Sequence, residues 1–183
     1  ANSDGNESSG PVQPGLRALD SINPDDPSVR MAVAGGVTTA NIMPGSGNVI
    51  GGQTLYVKLR GRTVEQMVIL GRLPDGTIIL GGLKMANGEN PKGYGRTRSQ
   101  APFTRMKVAA LQREQFVKAV EYRDKIRKAS GDATKMPPRD LAMEALVEVL
   151  DGKRTVHFHT HRHDDIVTVI RLSQEFGFKP VLH

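Results

Sequence analysis

The chain has 183 residues, 38% of them hydrophobic and 24% charged, with a formal net charge of +6 and an isoelectric point near 9.8. That length suits one domain or part of a larger one, and no apolar run approaches the roughly 20 residues needed to cross a bilayer, so a membrane protein is not expected. The absence of cysteine excludes disulfides and thiolate metal sites. The positive charge does not mark a nucleic-acid protein, because Lys and Arg are interspersed with acids, as in "LQREQFVKAVEYRDKIRK", and only 4% of residues are aromatic.

The opening "ANSDGNESSGPVQPG" lacks the basic and apolar regions of a signal peptide and reads as a polar loop. In "NPDDPSVRMAVAGG" a short helix is entered at Asp26 or Pro27 and stopped at Gly35-Gly36. The β-branched residues 37–43 predict a strand. It runs into "PGSGNVIGGQ", a glycine-rich loop without the GK[ST] ending of a phosphate loop, so a structural turn is expected there. Residues 54–60 and 77–85 read as further strands, with "LPDGT" as a turn at 73–77.

From about Pro102 to Ala129 the pattern becomes helical, with Met106, Ala110, Phe116 or Val117, and Val120 approximating one face. The next helix is capped by Asp140 and carries Leu141, Ala142, Ala145, Leu146, Val149 and Leu150 on its stripe before Gly152. A strand "TVHFHTH" follows, then a helix from about Asp164 to Phe176 stopped by Gly177, and "KPVLH" begins another strand. Helix and strand alternating with short connections is the pattern of β/α units around a parallel sheet, whose ligand sites gather at the strands' C-terminal ends.

The stretch "TVHFHTHRHDD" holds four of the five histidines, and the fifth is His183. In an extended strand His157, His159 and His161 project from one face. Neutral imidazoles on a rigid strand suit a divalent metal, while a polar strand with ordinary hydrogen bonds is the alternative. The positions of the run and of His183, at the ends of consecutive predicted strands, favour a metal or substrate site.

Three blocks carry a resemblance: "GGVTTANIMPGSGNVIGGQ"; "GLKMANGENPKGYG" with "APFTRM"; and "VHFHTHRHDDIVTVIRLSQEFGF". Together, in this order, they resemble the metal-dependent amidohydrolase superfamily near its imidazolonepropionase-like branch. The resemblance implies an α/β fold, a (β/α)8 barrel holding one or two divalent metals, expected to be zinc, that activate water against amide or other non-peptide C–N bonds. Carried over, it makes His159 the fifth-strand metal ligand, with His161 assisting and His157 packing deeper in the barrel. Lys84 resembles a fourth-strand lysine that some branches carboxylate to bridge two metals, and Glu89 is the rival bridge. His183 stands at or next to the sixth-strand ligand, Arg162 is a candidate substrate contact, and Asn48 and Gln53 are the polar groups of the glycine-rich loop.

The family's strand-one His-x-His pair and strand-eight Asp have no counterpart here. Residues 1–183 are therefore expected to be the central part of one barrel domain, inactive alone and partnered by the missing segments or by further copies. The substrate expected is a small-molecule amide, and the alternative is a non-catalytic binding or assembly module built on a half-barrel.

Overall fold

The computed structural model describes residues 4–183; residues 1–3, part of the N-terminal polar loop, lie outside them. After a 3-10 turn at Ala18–Asp20 comes α1 (Pro27–Ala34), where Asp26 accepts from the Ser28 amide at 2.9 Å and Pro27 supplies a preset first helical residue. Strands β1 (Thr39–Ile42), β2 (Ile50–Gln53) and β3 (Leu55–Lys58) precede a one-turn helix α2 (Val64–Met67). A small hairpin of β4 (Gly71–Arg72) and β5 (Ile78–Ile79) turns where "LPDGT" predicts it, closed by the Leu73 amide on the Thr77 carbonyl at 2.9 Å. Then follow β6 (Leu83–Ala86), α3 (Glu89–Thr97), α4 (Arg105–Ala129), α5 (Leu141–Leu150), β7 (Val156–His159), α6 (His163–Phe176) and β8 (Pro180–Leu182).

The architecture is mixed α/β. One sheet has the order β2-β6-β7-β8, with β6, β7 and β8 parallel and β2 antiparallel to β6. Helices α3 to α5 connect β6 to β7, and α6 connects β7 to β8. The remaining strands form two antiparallel pairs, β1 with β3 and β4 with β5, so the parallel arrangement expected throughout holds only in the second half.

Alternation along β6 and β7 sends Leu83, Met85, Val156 and Phe158 to one side of the sheet. There they meet Val108, Phe116 and Ala119 of α4, Met143, Leu146 and Val149 of α5, and Val169 and Leu172 of α6. A second, smaller core gathers Leu55, Val57 and Leu59 around Met67 and Ala18.

Three expectations need correction. The stretch read as a glycine-rich loop contains β2, hidden because glycine carries no strand signal. Its glycines admit close neighbours: a Cβ on Gly52, at φ +130°, would lie 2.7 Å from the Leu16 carbonyl oxygen. The strand read over 77–85 breaks into β5 and β6, and Gly81 between them lies so close to the Thr54 carbonyl that a Cβ would overlap it at 2.0 Å. On α4 the buried line is Val108, Gln112, Phe116 and Ala119, whereas Met106 is 79% exposed. Gln112 occupies a core position because its amide donates to the Ala86 carbonyl at 2.9 Å, which a hydrophobic pattern does not anticipate.

Candidate functional site

The side chains that alternate with the core residues point away from the helices. Register places Lys84 beside His157 and Ala86 beside His159. The ladder continues past β8 through the His183 amide on the Phe158 carbonyl (3.0 Å) and the Thr160 amide on the His183 carbonyl (3.1 Å), which sets His183 beside His159. Lys84, His157, His159 and His183 therefore share one face near the C-terminal ends of three parallel strands. Gly82, on the same face, leaves space for the His157 ring, since a Cβ there would lie 2.4 Å from its Cδ2.

His157 is buried and fully engaged. Its Nε2 meets the Tyr56 hydroxyl at 2.8 Å and the Asn41 amide nitrogen at 3.2 Å, and its Nδ1 lies 2.9 Å from His183 Nε2. Tyr56 and Asn41 reach it together because they are register partners in the β1–β3 pair. His159 is half-buried, with its Nε2 3.0 Å from the Asn90 side-chain nitrogen at the start of α3, and its ring stands edge-on to exposed His161 at 4.5 Å between centroids. Lys84 is buried and donates to the Pro44 carbonyl at 3.2 Å.

The electrostatics follow from this burial. Desolvation pushes the Lys84 amine below its ordinary value. The same effect lowers His157, reinforced by His183 and Lys84, and lowers His159, reinforced by His161 and Lys84. Both imidazoles are therefore neutral near pH 7 and offer lone pairs, the state that accepts a proton or binds a metal.

The other residues singled out from the sequence lie apart from this row or are already engaged. The exposed carboxylate of Glu89, at the head of α3, receives Lys92 and Arg105, each at 2.9 Å, and these cations hold it below the usual carboxylate range. Arg105 also binds both oxygens of buried Asp165 (3.0 and 3.2 Å), so Glu89 belongs to an ion network joining α3, α4 and α6. Arg162, ahead of α6, is exposed and paired through two hydrogen bonds with Asp164.

Asn48 is 1% exposed, and its amide is consumed by the Glu7 amide and carbonyl and the Gly10 carbonyl. It ties down the N-terminal segment, with no donor left for a substrate. Gln53 pairs in register with Leu83, at the opposite end of β6 from Ala86 and His159, and its amide reaches the Pro14 carbonyl at 3.5 Å. A cavity of about 390 Å³ is lined by Glu7, Leu16, Arg17, Met43, Pro44 and Gly51.

Among the described residues no group of three His, Cys, Asp or Glu side chains is placed to hold a metal ion. The donors among the described residues therefore do not fit a complete metal centre by themselves. Sequence reading did not identify Asn41, Tyr56 and Asn90. Asn41 and Tyr56 lie 116 and 101 positions from His157, and the signal that links them is the antiparallel register of β1 and β3, which emerges only on folding.

No family model matches the chain. It is 32% identical over 190 residues to the amidohydrolase tasK of Hapsidospora irregularis, an alignment covering 97% of this chain and 19% of that protein. It also superposes on the crystal structure of an amidohydrolase from Thermotoga maritima MSB8 with a TM-score of 0.90 and 43% identity, covering 98% of this chain and 45% of that one. The chain thus spans less than half the length of either relative. Both relatives bear the name amidohydrolase, and the likeness in sequence and fold over nearly the whole chain supports an amidohydrolase family for this protein.

Proposed function

We propose that this chain is the histidine-bearing part of a metal-dependent hydrolase, near the imidazolonepropionase-like branch, acting on amide or other non-peptide C–N bonds of a small molecule. The observation that carries the reading is the row of Lys84, His157, His159 and His183 near the C-terminal ends of three parallel strands. This is where β/α folds build their sites. The run β6–β7–β8 with its connecting helices supports part of a (β/α)8 barrel, completed by further strands from a longer polypeptide or from other copies.

In this reading His159, assisted by His161 and His183, supplies only some of the donors for a divalent metal such as zinc. Lys84 is the preferred bridging candidate over Glu89, because Lys84 is buried beside His157 without a carboxylate partner among the described residues, whereas Glu89 is committed to Arg105 and Lys92. A non-catalytic binding or assembly module is the second reading, favoured by the incomplete donor set.

The test is to purify residues 1–183, measure bound metal by elemental analysis, and assay a panel of small linear and cyclic amides with and without complementary segments. Weak metal retention and no turnover alone, with both restored by the complementary segments, is the expected result. Tight stoichiometric metal and turnover by the chain alone would show that it is a complete enzyme. No metal and no turnover in any combination would favour the binding module.

A further inference from the structure

One buried residue ties the ends of β6 and β7 to the first turn of α6. The Asn87 backbone amide donates to the His159 carbonyl at 3.1 Å, and its side-chain nitrogen donates to the Asp165 carbonyl at 3.0 Å. Gly88 follows with φ at +78°, where a Cβ would lie 2.8 Å from Asp165 Oδ2. The chain therefore passes directly against the buried Asp165 carboxylate before it enters α3.

A carboxylate removed from water needs a cationic partner, and Arg105 supplies it. The Arg105 Nε lies 3.0 and 3.2 Å from the two Asp165 oxygens, and its Nη2 forms an ion pair with Glu89 Oε1 at 2.9 Å. The guanidinium thus joins α6 to the opening residue of α3, while its own backbone opens α4. Its planar fork holds two carboxylates at a set spacing, which a lysine ammonium on a flexible stem does not.

The first turn of α3 depends on such a tether. No side chain caps its N-terminus, and Gly93, Gly95 and Pro91 are poor helix formers. The later part of α3 is anchored separately, by the Tyr94 hydroxyl on the Asn6 carbonyl at 3.2 Å. Asn90 stands next to Glu89, and its side-chain nitrogen lies 3.0 Å from His159 Nε2. An amide can donate or accept, and so can a neutral imidazole nitrogen, so this contact survives either orientation of the amide.

We propose that Arg105 is a positioning residue: by bridging Asp165 and Glu89 it sets the first turn of α3 and so holds Asn90 against the His159 ring. The placement of the ring stands on these contacts; its use in hydrolysis rests on the hydrolase reading. In that reading Glu89 serves the site as the anchor of α3.

The experiment is NMR of the full 183-residue chain labelled with 13C and 15N. It is run at about pH 8, above the ordinary histidine value of about 6.5, so that the rings are neutral. Two features are read: cross-relaxation between Asn90 side-chain protons and His159 ring protons, and the ring signals of His159 and His157, assigned by their loss in His159→Gln and His157→Gln. The unmodified protein is expected to show the Asn90–His159 cross-peak. Glu89→Ala cuts the α3 arm at an exposed carboxylate and leaves Arg105 on Asp165. It is expected to lose the cross-peak and shift the His159 ring signals while those of His157 stay in place. Asn90→Ala is expected to shift the same His159 signals, and Glu89→Ala added to it to shift them no further.

Unmoved His159 signals in Glu89→Ala, an equal shift at His157, or an equal further shift in the Asn90→Ala background would each overturn the proposal. Arg105→Lys keeps the charge without the fork and is expected to lose the cross-peak too; its retention would overturn the bridging role of the guanidinium. Should Arg105→Lys fail to fold, the Glu89 and Asn90 variants still decide the question. Failed turnover with the expected spectra would count against the hydrolase reading only.

Discussion

The two faces of the β6–β7–β8 sheet come from the same strands and are built on opposite physics. On the helix side Leu83, Met85, Val156 and Phe158 are fully buried in apolar contact. On the other side Lys84 and His157 are nearly as buried, yet every contact named for them is polar and directional. The apolar face gains free energy from area removed from water and tolerates no void. The polar face gains little net stability, because each hydrogen bond replaces one to water, but it fixes where each ring and the Lys84 amine sit. The helix side is therefore the source of stability, and the open side can be given over to chemistry.

The contrast can be broken from the stable side first. Phe158→Ala, at the centre of the helix-packed core, is expected to cost about 3–5 kcal/mol, a large share of the roughly 5–15 kcal/mol that holds a domain folded. Urea denaturation monitored by circular dichroism checks it. A loss under about 1 kcal/mol would mean the core does not hold the sheet as described.

Gly82→Ala strikes the polar face through sterics, since the new Cβ would meet His157 Cδ2 at 2.4 Å and the Thr155 carbonyl oxygen at 2.5 Å. The expected loss is about 1–3 kcal/mol, accompanied by changed NMR signals of the His157 ring. An unperturbed ring would show that Gly82 does not make the space His157 occupies.

His157→Leu removes the polar hub at similar volume and leaves Tyr56, Asn41 and His183 without their shared partner. About 1–2 kcal/mol of destabilisation is expected, smaller than for Phe158→Ala on the other side of the same strand. A larger loss than for Phe158→Ala would reverse the division of labour between the faces.

The smallest effect lies off the sheet. Arg139 pairs with Glu144 in the first turn of α5, mostly exposed, and Arg139→Ala should lower stability least of the four, because solvent screens the pair. The hydrogen bond to Arg139 holds the Glu144 carboxyl below the usual range. Its contribution is thus complete above the unfolded carboxylate value of about 4.3 and fades as pH falls through the lower folded value. Comparing the two proteins by thermal denaturation at pH 7 and below pH 3 should show the gap close in acid; an unchanged gap would assign the effect to something other than the ion pair.

Local elements were legible where a short-range physical cause writes them into the chain. Asp26-Pro27, Asp140 and Gly177 each mark a helix end by a cap or a left-handed residue, and the helices begin or stop there. The period of two in "VHFHTH" made a strand whose histidines share a face, although the strand itself ends at His159 and His161 lies just beyond it, exposed. The short helix α3 escaped because Gly93, Gly95 and Pro91 are poor helix formers, and it holds in place through Lys92 and Arg105 on Glu89.

Short-range order along the chain settles the set of segments and the chemistry they carry: the capped helices, the alternating histidines, and a lysine on the strand before the longest helix. These depend on neighbours a few positions apart, which any chain carries with it. Which residue meets which is settled only by folding. Packing of β1 and β3 over the sheet put Asn41 and Tyr56 on His157, closure of the β8 ladder put His183 beside it, and the α3–α4–α6 ion network drew Glu89 toward Arg105. Such pairings join residues far apart in sequence, and they form because buried polar groups must find partners once water is excluded, a demand that does not exist until the core has closed.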